Sequence, residues 1–118
     1  MKKLLLLLCA GCIAQVALSQ TIVLDSAANY EGKTVTVCAK VQGAKLMDGE
    51  KKTVYLNFGK PYPNHTFTVV IFGKDFANFS YAPAEFLKDK TVCITGTIKI
   101  YKDKPEMIIT KESEIKIQ

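Results

Sequence analysis

The sequence lacks arginine and tryptophan altogether and holds a single histidine. Arginine is the side chain best suited to bidentate recognition of phosphate and guanine, so its absence counts against a tight, sequence-specific reader of nucleic acid. Lysine supplies all 16 basic side chains, against 11 acidic ones. The chain is therefore only mildly basic, and its positive charges are point charges on flexible stems.

Clusters of reactive side chains are also missing. His65 has no serine, cysteine or carboxylate beside it in the sequence with which to form a catalytic or metal-binding group. The acidic residues fall next to turns or lysines, where solvated charges are common, and they form no pair suited to general acid–base work. We therefore expect no enzyme activity, no metal site and no cofactor.

The start of the chain has the three parts of a secretory signal peptide. Lysines stand at positions 2 and 3, residues 4–14 are apolar, and residues 17–19 (Ala-Leu-Ser) supply small side chains where a signal peptidase reads. We predict that residues 1–19 are a cleavable signal peptide. Residues 20–118 then form one mature domain that is periplasmic or secreted.

Two alternatives to simple cleavage remain open. The first is a membrane anchor, but Gln15 interrupts the apolar run, which is shorter than the roughly 20 residues that a spanning helix needs. The second is a lipoprotein anchored at Cys12, because Ala10, Gly11 and Cys12 resemble the end of a lipobox. Lipidation is the less favoured reading, since Cys9 stands where a leucine-like residue is usual. No integral membrane span is expected after cleavage.

Alternating or continuous apolar patterns predict five strands in the mature chain. They cover residues 33–41, 53–59, 67–73 and 91–101, with one or two final segments within residues 107–117. A short helical turn is predicted at residues 25–30, and an irregular loop with one or two helical turns at residues 75–88. The order strand, strand, strand, short helix, strand, strand predicts an all-β domain that forms a closed or nearly closed barrel.

Glycine and proline mark the connections between these strands. Asp48-Gly49 is a strong hairpin signal after the first strand. Gly43 indicates a bend or bulge late in that strand. Gly59 permits a positive φ, and Pro61 and Pro63 hold the next connection extended. This connection suits either a ligand-binding loop or simple closure of the barrel between the second and third strands.

Five segments that together span nearly the whole mature chain resemble the OB-fold. They are residues 30–38 (YEGKTVTVC), 56–64 (LNFGKPYPN), 67–73 (FTVVIFG), 92–96 (VCITG) and 101–105 (YKDKP). More narrowly, the chain resembles a family of small exported bacterial OB-fold proteins of the nucleic-acid-binding-like type. The resemblance implies a five-stranded OB-fold barrel with one short helix, in the order β-β-β-α-β-β. It also implies a ligand face on the second and third strands, flanked by the loops that join strands one to two and four to five.

The implied ligand face can be assigned from strand parity. On the second strand, Tyr55 and Asn57 point away from the core residues. On the third strand, Thr68 sets an outward parity that Val70 and Phe72 share. Tyr55 and Phe72 are predicted to stack on bases or sugar rings. The alternative left open is that the aromatic residues pack under the segment of residues 75–88.

The two flanking loops carry lysines that suit a phosphate backbone, or that only keep the surface soluble. They are Lys45, Lys51, Lys52, Lys102 and Lys104. From this face we predict an exported OB-fold binding module, with weak binding of single-stranded nucleic acid as the leading function. The alternative is an envelope domain that binds protein or glycan and has no nucleic-acid role. The missing arginine and the near-balanced charge favour that alternative.

Two of the four cysteines, Cys38 and Cys93, remain in the mature chain. An even cysteine count in an oxidising compartment favours a disulfide. In the OB topology that the resemblance implies, the first and fourth strands are antiparallel neighbours, and both cysteines lie on the side opposite the core residues. We predict a Cys38–Cys93 bridge. Two separate thiols, offset by a residue or two in register, are the alternative.

Overall fold

Strands dominate residues 19–118, the part of the chain that the computed structural model describes. The strands are β1 (Gln20–Ile22), β2 (Thr34–Met47), β3 (Thr53–Phe58), β4 (Phe67–Phe72), β5 (Thr91–Thr97), β6 (Lys99–Tyr101), β7 (Lys104–Ile108) and β8 (Ile115–Ile117). A short helix α1 (Pro83–Leu87) and 3-10 helices at Leu24–Tyr30, Gly73–Asn78 and Glu112–Glu114 complete this part. None of its helices has the length and apolar character needed to cross a membrane. The predicted signal peptide, apart from Ser19, and the lipidation candidate Cys12 lie outside the described residues.

The long strand β2 organises the sheet. The sequence predicts a strand over residues 33–41, but β2 runs on to Met47. Its first half pairs antiparallel with β5, and its second half pairs antiparallel with β3 across the predicted hairpin. The ladder shifts between Val41 and Gly43, which is the bulge that Gly43 predicts. A bulge bends a strand, so one continuous β2 serves both parts of the sheet.

The strands pair in the order β6-β7-β4-β3-β2-β5-β8, with β1 added parallel to β2. The ladder therefore does not close, and its eight strands correct the expected five-stranded barrel, which was to be closed or nearly closed. The strand predicted over residues 91–101 is divided into β5 and β6, because β5 pairs with β2 whereas β6 pairs with β7. Ile98 lies at the break, where its amide donates to the Lys33 carbonyl oxygen at 3.0 Å. The sequence of β2, β3, β4, α1, β5–β6 and β7 still follows the predicted order.

Inward-facing side chains of the strands form the core. Val92 and Ile94 of β5 are fully buried, as the alternation of that segment predicts. Phe58 and Phe67 flank the β3–β4 connection and pack with ring centroids 5.7 Å apart. Leu87 of α1 is fully buried in the same cluster, so the helix covers the core. Burial of an aliphatic side chain of this size contributes about 1.5–3 kcal/mol.

A disulfide joins β2 to β5. Cys38 and Cys93 are directly opposed in the ladder, and their sulfur atoms are 2.06 Å apart. This confirms the predicted bridge and its register. The same outward face carries Thr36 and Thr95, whose hydroxyl oxygens lie 2.7 Å apart. The bridge connects residues 55 positions apart in the sequence and so restricts the unfolded chain strongly.

Candidate ligand-binding groove

A groove of about 670 Å³ lies on the outer face of β2, β3, β4 and β7. The loop of residues 59–66 and the β6–β7 hairpin border it. Its principal side chains are Lys45, Tyr55, Asn57, Tyr62, His65, Thr68, Tyr101, Lys102, Lys104 and Glu106. The groove therefore lies on the face that the OB-fold resemblance implies.

Strand pairing aligns a row of polar residues across the floor of the groove. Successive partners in the ladder are Gly43, Asn57, Thr68 and Glu106. Partners in a ladder face the same side of a sheet, so this row shares the outer face. The Thr68 hydroxyl donates to Asn57 Oδ1 at 3.0 Å. Both residues are buried, and Gly43 leaves its end of the row without a side chain.

The loop of residues 59–66 forms one wall of the groove. Gly59 enters the loop with a φ of 93°, as predicted, which glycine adopts without strain. The Thr66 amide donates to the Phe58 carbonyl oxygen at 3.0 Å and closes the base of the loop. Lys104 Nζ of β7 donates to the Pro63 carbonyl oxygen at 2.9 Å. This bond ties the loop to the β6–β7 hairpin across the groove.

Three tyrosine rings border the groove. Tyr55 of β3 is 37% exposed, Tyr101 of β6 is 54% exposed, and Tyr62 of the loop is 75% exposed. His65 stacks on Tyr62, with ring centroids 5.6 Å apart and ring planes 19° apart. This contact orders the most exposed of the three rings. Exposed aromatic faces are platforms on which nucleobases stack.

Positive charge surrounds the groove, and one carboxylate lies inside it. Lys45 is the ladder partner of Tyr55. Lys102 Nζ lies 5.4 Å from the centre of the Tyr101 ring. Lys104 of β7 reaches from the hairpin to the Pro63 carbonyl oxygen of the loop. The carboxylate is that of Glu106, and no basic group in residues 19–118 lies within 4.0 Å of it.

Burial perturbs two titratable groups in the groove. Burial and then the charge of Lys104 lower the pKa of His65 below its ordinary value, so the imidazole is neutral at pH 7. Its Nδ1 atom is buried and has no hydrogen-bond partner in the described part of the chain. Burial raises the pKa of Glu106, and the charge of Lys99 across the β6–β7 ladder partly opposes that rise. Even with Glu106 ionised, the lysines leave the groove positive.

Four of the eight side chains predicted for the ligand face line the groove. They are Tyr55, Asn57, Lys102 and Lys104. Tyr55 and Phe72 are each more than a third exposed, so the segment of residues 75–88 does not cover either ring. Lys45, which the sequence also places in a flanking loop, lies on β2 and reaches the groove as well.

The other four predicted residues lie outside the groove. Val70 has the predicted outward parity but is only 4% exposed, so it supports Tyr55 rather than offering a surface. Phe72 is exposed at the far end of β4. Lys51 and Lys52 lie in the β2–β3 turn, where Lys52 Nζ is 3.8 Å from an Asp48 carboxylate oxygen. The groove thus overlaps the predicted ligand face in part and extends from it towards β7 and the loop of residues 59–66.

Tyr62, His65, Tyr101 and Glu106 line the groove although the sequence did not mark them as ligand residues. Tyr62 and His65 belong to the proline-containing loop, whose unusual composition was the available signal. Tyr101 and Glu106 reach the groove because β7 pairs in parallel with β4. No local pattern reveals a pairing between strands so far apart in the chain.

A second cleft, of about 640 Å³, is a weaker candidate. Its lining residues are Thr34, Thr95, Gly96, Thr97, Lys99, Ile108, Ser113 and Glu114, none of them aromatic. Glu114 Oε1 already accepts bonds from the amides of Thr110 and Lys111 at 2.9 and 3.2 Å. Across residues 19–118, no group of three or more His, Cys, Asp or Glu side chains is placed to hold a metal ion. The groove is therefore the candidate site.

Comparison with known proteins shows similarity in structure rather than in sequence. No protein-family model and no curated protein matches the chain. Aspartyl-tRNA synthetase from Entamoeba histolytica matches with a TM-score of 0.55 and 20% identity, over 87% of this chain and 22% of that one. The structure of yeast Stn1 and Ten1 matches with a TM-score of 0.56 and 11% identity, over 92% of the chain described here and 67% of the matched chain. The OBody AM1L10 bound to hen egg-white lysozyme matches with a TM-score of 0.51 and 19% identity, over 88% and 98%.

These likenesses define the fold alone, because the identities are so low. The chain spans less than a quarter of the synthetase's length. Together with the strand order, the matches show a mostly β domain of the OB-fold class whose sheet is open. The groove makes it an OB-fold domain with a tyrosine- and lysine-bordered face.

Proposed function

We propose that this protein is a non-catalytic OB-fold module that binds single-stranded nucleic acid weakly in the groove. The observation that carries the proposal is that three exposed tyrosine rings and three lysines border the same groove. Aromatic rings accept stacked bases of any sequence, and lysines neutralise the phosphates between those bases. Unpaired bases are needed for such stacking, so the preferred ligand is a single strand.

The names of the comparison proteins are compatible with this proposal. The Entamoeba histolytica aspartyl-tRNA synthetase acts on tRNA by name, whereas the OBody is bound to a protein. Because these matches reflect the fold only, they support a binding role in general terms. The exposed tyrosine rings and the lysines of the groove favour nucleic acid over protein as its ligand.

The salt dependence of binding tests the proposal. Anisotropy titration would use a labelled oligothymidylate of about 12 residues, within the site size of an OB-fold. If Lys45, Lys102 and Lys104 each neutralise one phosphate, log K falls with log salt at a slope of about −2. The triple variant with glutamine at these positions is expected to bring the slope close to zero. Absent or salt-independent binding by the wild-type protein would reject the nucleic-acid ligand.

A matched control separates the groove from the net charge of the chain. Lys40, Lys88 and Lys116 are exposed and do not line the groove. Their triple glutamine variant removes the same charge and is expected to keep the wild-type slope. Equal losses in both triple variants would place binding outside the groove.

The stacking half of the proposal has its own test. Tyr62→Ala and Tyr101→Ala are each expected to weaken oligothymidylate binding by about 5- to 150-fold, the range for loss of one stacked base. Phe86→Ala is the control, because Phe86 is 39% exposed but lies outside the groove. Wild-type affinity in both tyrosine variants would show that bases do not stack on these rings.

A second candidate function is binding of an envelope protein or glycan without a nucleic-acid role. Exposed apolar side chains at the outer end of the β2–β3 hairpin and of β4 favour a protein, with Leu46 43%, Met47 44% and Phe72 38% exposed. A photo-crosslinking residue at position 72 would then give one discrete protein adduct in cells, and one at position 116 would not. Salt-independent binding of a neutral oligosaccharide in place of oligothymidylate would instead identify a glycan.

We also propose that the protein is exported to the periplasm or secreted after removal of residues 1–19. The signal-peptide pattern and the Cys38–Cys93 disulfide support this, because disulfides persist in oxidising compartments. Intact-mass and N-terminal analysis of the protein from its native host is expected to find Gln20 first. A lipid-modified Cys12 would identify the lipoprotein alternative, and an uncleaved chain would contradict export by this route.

A further inference from the structure

The carboxylate of Glu106 lies on the floor of the groove, whereas the positive charges of Lys45, Lys102 and Lys104 lie at its rim. Glu106 projects into the groove half-buried, in the same row as Thr68 and Asn57. Thr68 donates its hydroxyl proton to Asn57 Oδ1. The row is left with hydroxyl and carboxylate lone pairs as acceptors and with the Asn57 Nδ2 amide as a donor.

This arrangement orients a bound strand. A half-buried carboxylate is stabilised by hydrogen-bond donors. Phosphates offer none and are drawn to the lysines at the rim, so the base edges face the floor. We propose that Glu106 makes the groove prefer a strand that places guanine at this position. The inference rests on the proposed function and specifies the base that its ligand presents.

Guanine is the base whose edge fits a carboxylate. Its Watson–Crick edge presents N1–H and N2–H₂ side by side, which match the two oxygens of Glu106 as a bidentate pair. The Asn57 amide in the same row offers a donor to guanine O6. Cytosine and adenine present one amino group beside a ring-nitrogen acceptor, and thymine presents carbonyl oxygens on both sides of its single N–H. Those acceptors repel the carboxylate.

The missing arginine does not conflict with guanine recognition of this kind. Arginine reads guanine at O6 and N7, on the edge that remains accessible in a duplex. The bidentate pair with Glu106 instead uses N1–H and N2–H₂ of the Watson–Crick edge, which is free only in an unpaired strand. Guanine preference through Glu106 therefore requires the single-stranded ligand that the groove favours.

The test compares three oligothymidylates of about 12 residues that differ only at one central base, which is thymine, guanine or hypoxanthine. Hypoxanthine is guanine without the N2 amino group. The wild-type protein is expected to bind the guanine strand about 5- to 150-fold more tightly than the thymine strand, the range for one bidentate base contact. The hypoxanthine strand is expected to lose most of that gain.

Variants assign the preference to the carboxylate. Glu106→Gln keeps the size of the side chain and is expected to bind the thymine strand more tightly than wild type does, because a negative charge is removed from the groove. Its guanine preference is expected to fall below about twofold. Glu85→Gln is the control, because Glu85 is an exposed carboxylate on α1 outside the groove.

The possible outcomes distinguish this inference from the proposed function. Salt-dependent binding of all three strands with equal affinity would overturn the role of Glu106 and leave nucleic-acid binding intact. Guanine preference that persists in Glu106→Gln would overturn it too. Absence of binding to every strand would overturn both. If equimolar 5′-GMP displaces the guanine strand, the ligand that supplies the guanine is a free nucleotide. If 5′-GMP does not compete, the ligand is the single strand itself.

Discussion

Removal of the Cys38–Cys93 disulfide is expected to lower the free energy of unfolding by several kcal/mol. The bridge joins residues 55 positions apart in the sequence. The chain-entropy relation for a loop of this length gives about 4 kcal/mol of stabilisation. A small domain has a total unfolding free energy of about 5–15 kcal/mol, so this is a large share. The expected fall in Tm is roughly 15–30 °C for a domain of this size.

Urea unfolding followed by circular dichroism measures this loss in four samples. They are oxidised wild type, wild type with reductant, and the Cys38→Ala/Cys93→Ala variant without and with reductant. Cys38 is exposed and Cys93 only half-buried, so alanine leaves little cavity, and the three unbridged samples are expected to agree within about 1 kcal/mol. A loss below about 1 kcal/mol on reduction, or an equal effect of reductant on the double variant, would refute the entropic account.

Three further predictions concern packing and the groove. Gly73→Ala is expected to lower the unfolding free energy by about 1–3 kcal/mol in urea, because a Cβ atom there would lie 2.9 Å from the Lys52 carbonyl oxygen; Gly49→Ala, with nothing within 4 Å, is the control. Burial raises the pKa of Glu106, so the folded state holds this proton more tightly than the unfolded state does. The unfolding free energy of wild type is therefore expected to fall relative to that of Glu106→Gln as pH is raised from about 4 to about 7. A difference between the two that does not change with pH would contradict this. NMR titration of His65 is expected to give a midpoint below the ordinary value of about 6.5, and Lys104→Gln is expected to raise that midpoint, because burial and then the Lys104 charge lower the pKa; an unchanged midpoint would argue against the charge effect.

Much of the central sheet follows from local pattern. The alternation of apolar residues predicts β3, and a more continuous apolar run predicts β4, each to within a residue. The same alternation predicts the outward parity of Tyr55 and Asn57. It also places Cys38 and Cys93 on one side, and the OB topology then brings them opposite each other.

Long-range pairing is what the sequence does not disclose. The residue 91–101 segment alternates without interruption, yet it changes partner at Ile98 because β2 and β7 are both available to it. β1 has only three residues, too few for a periodic signal. Glu106 and Tyr101 enter the groove only when β7 pairs with β4 and β6. The floor and one rim of the site therefore required the tertiary structure.

Backbone amide shifts measured during an oligothymidylate titration show residue by residue whether the groove is the nucleic-acid interface. Salt-sensitive shifts are expected at Tyr55, Thr68 and Tyr101, which line the groove. No shifts are expected at Thr36 and Cys93, on the β2–β5 face outside the groove. Shifts confined to the β2–β5 face, or no shifts at low salt, would contradict the proposed interface.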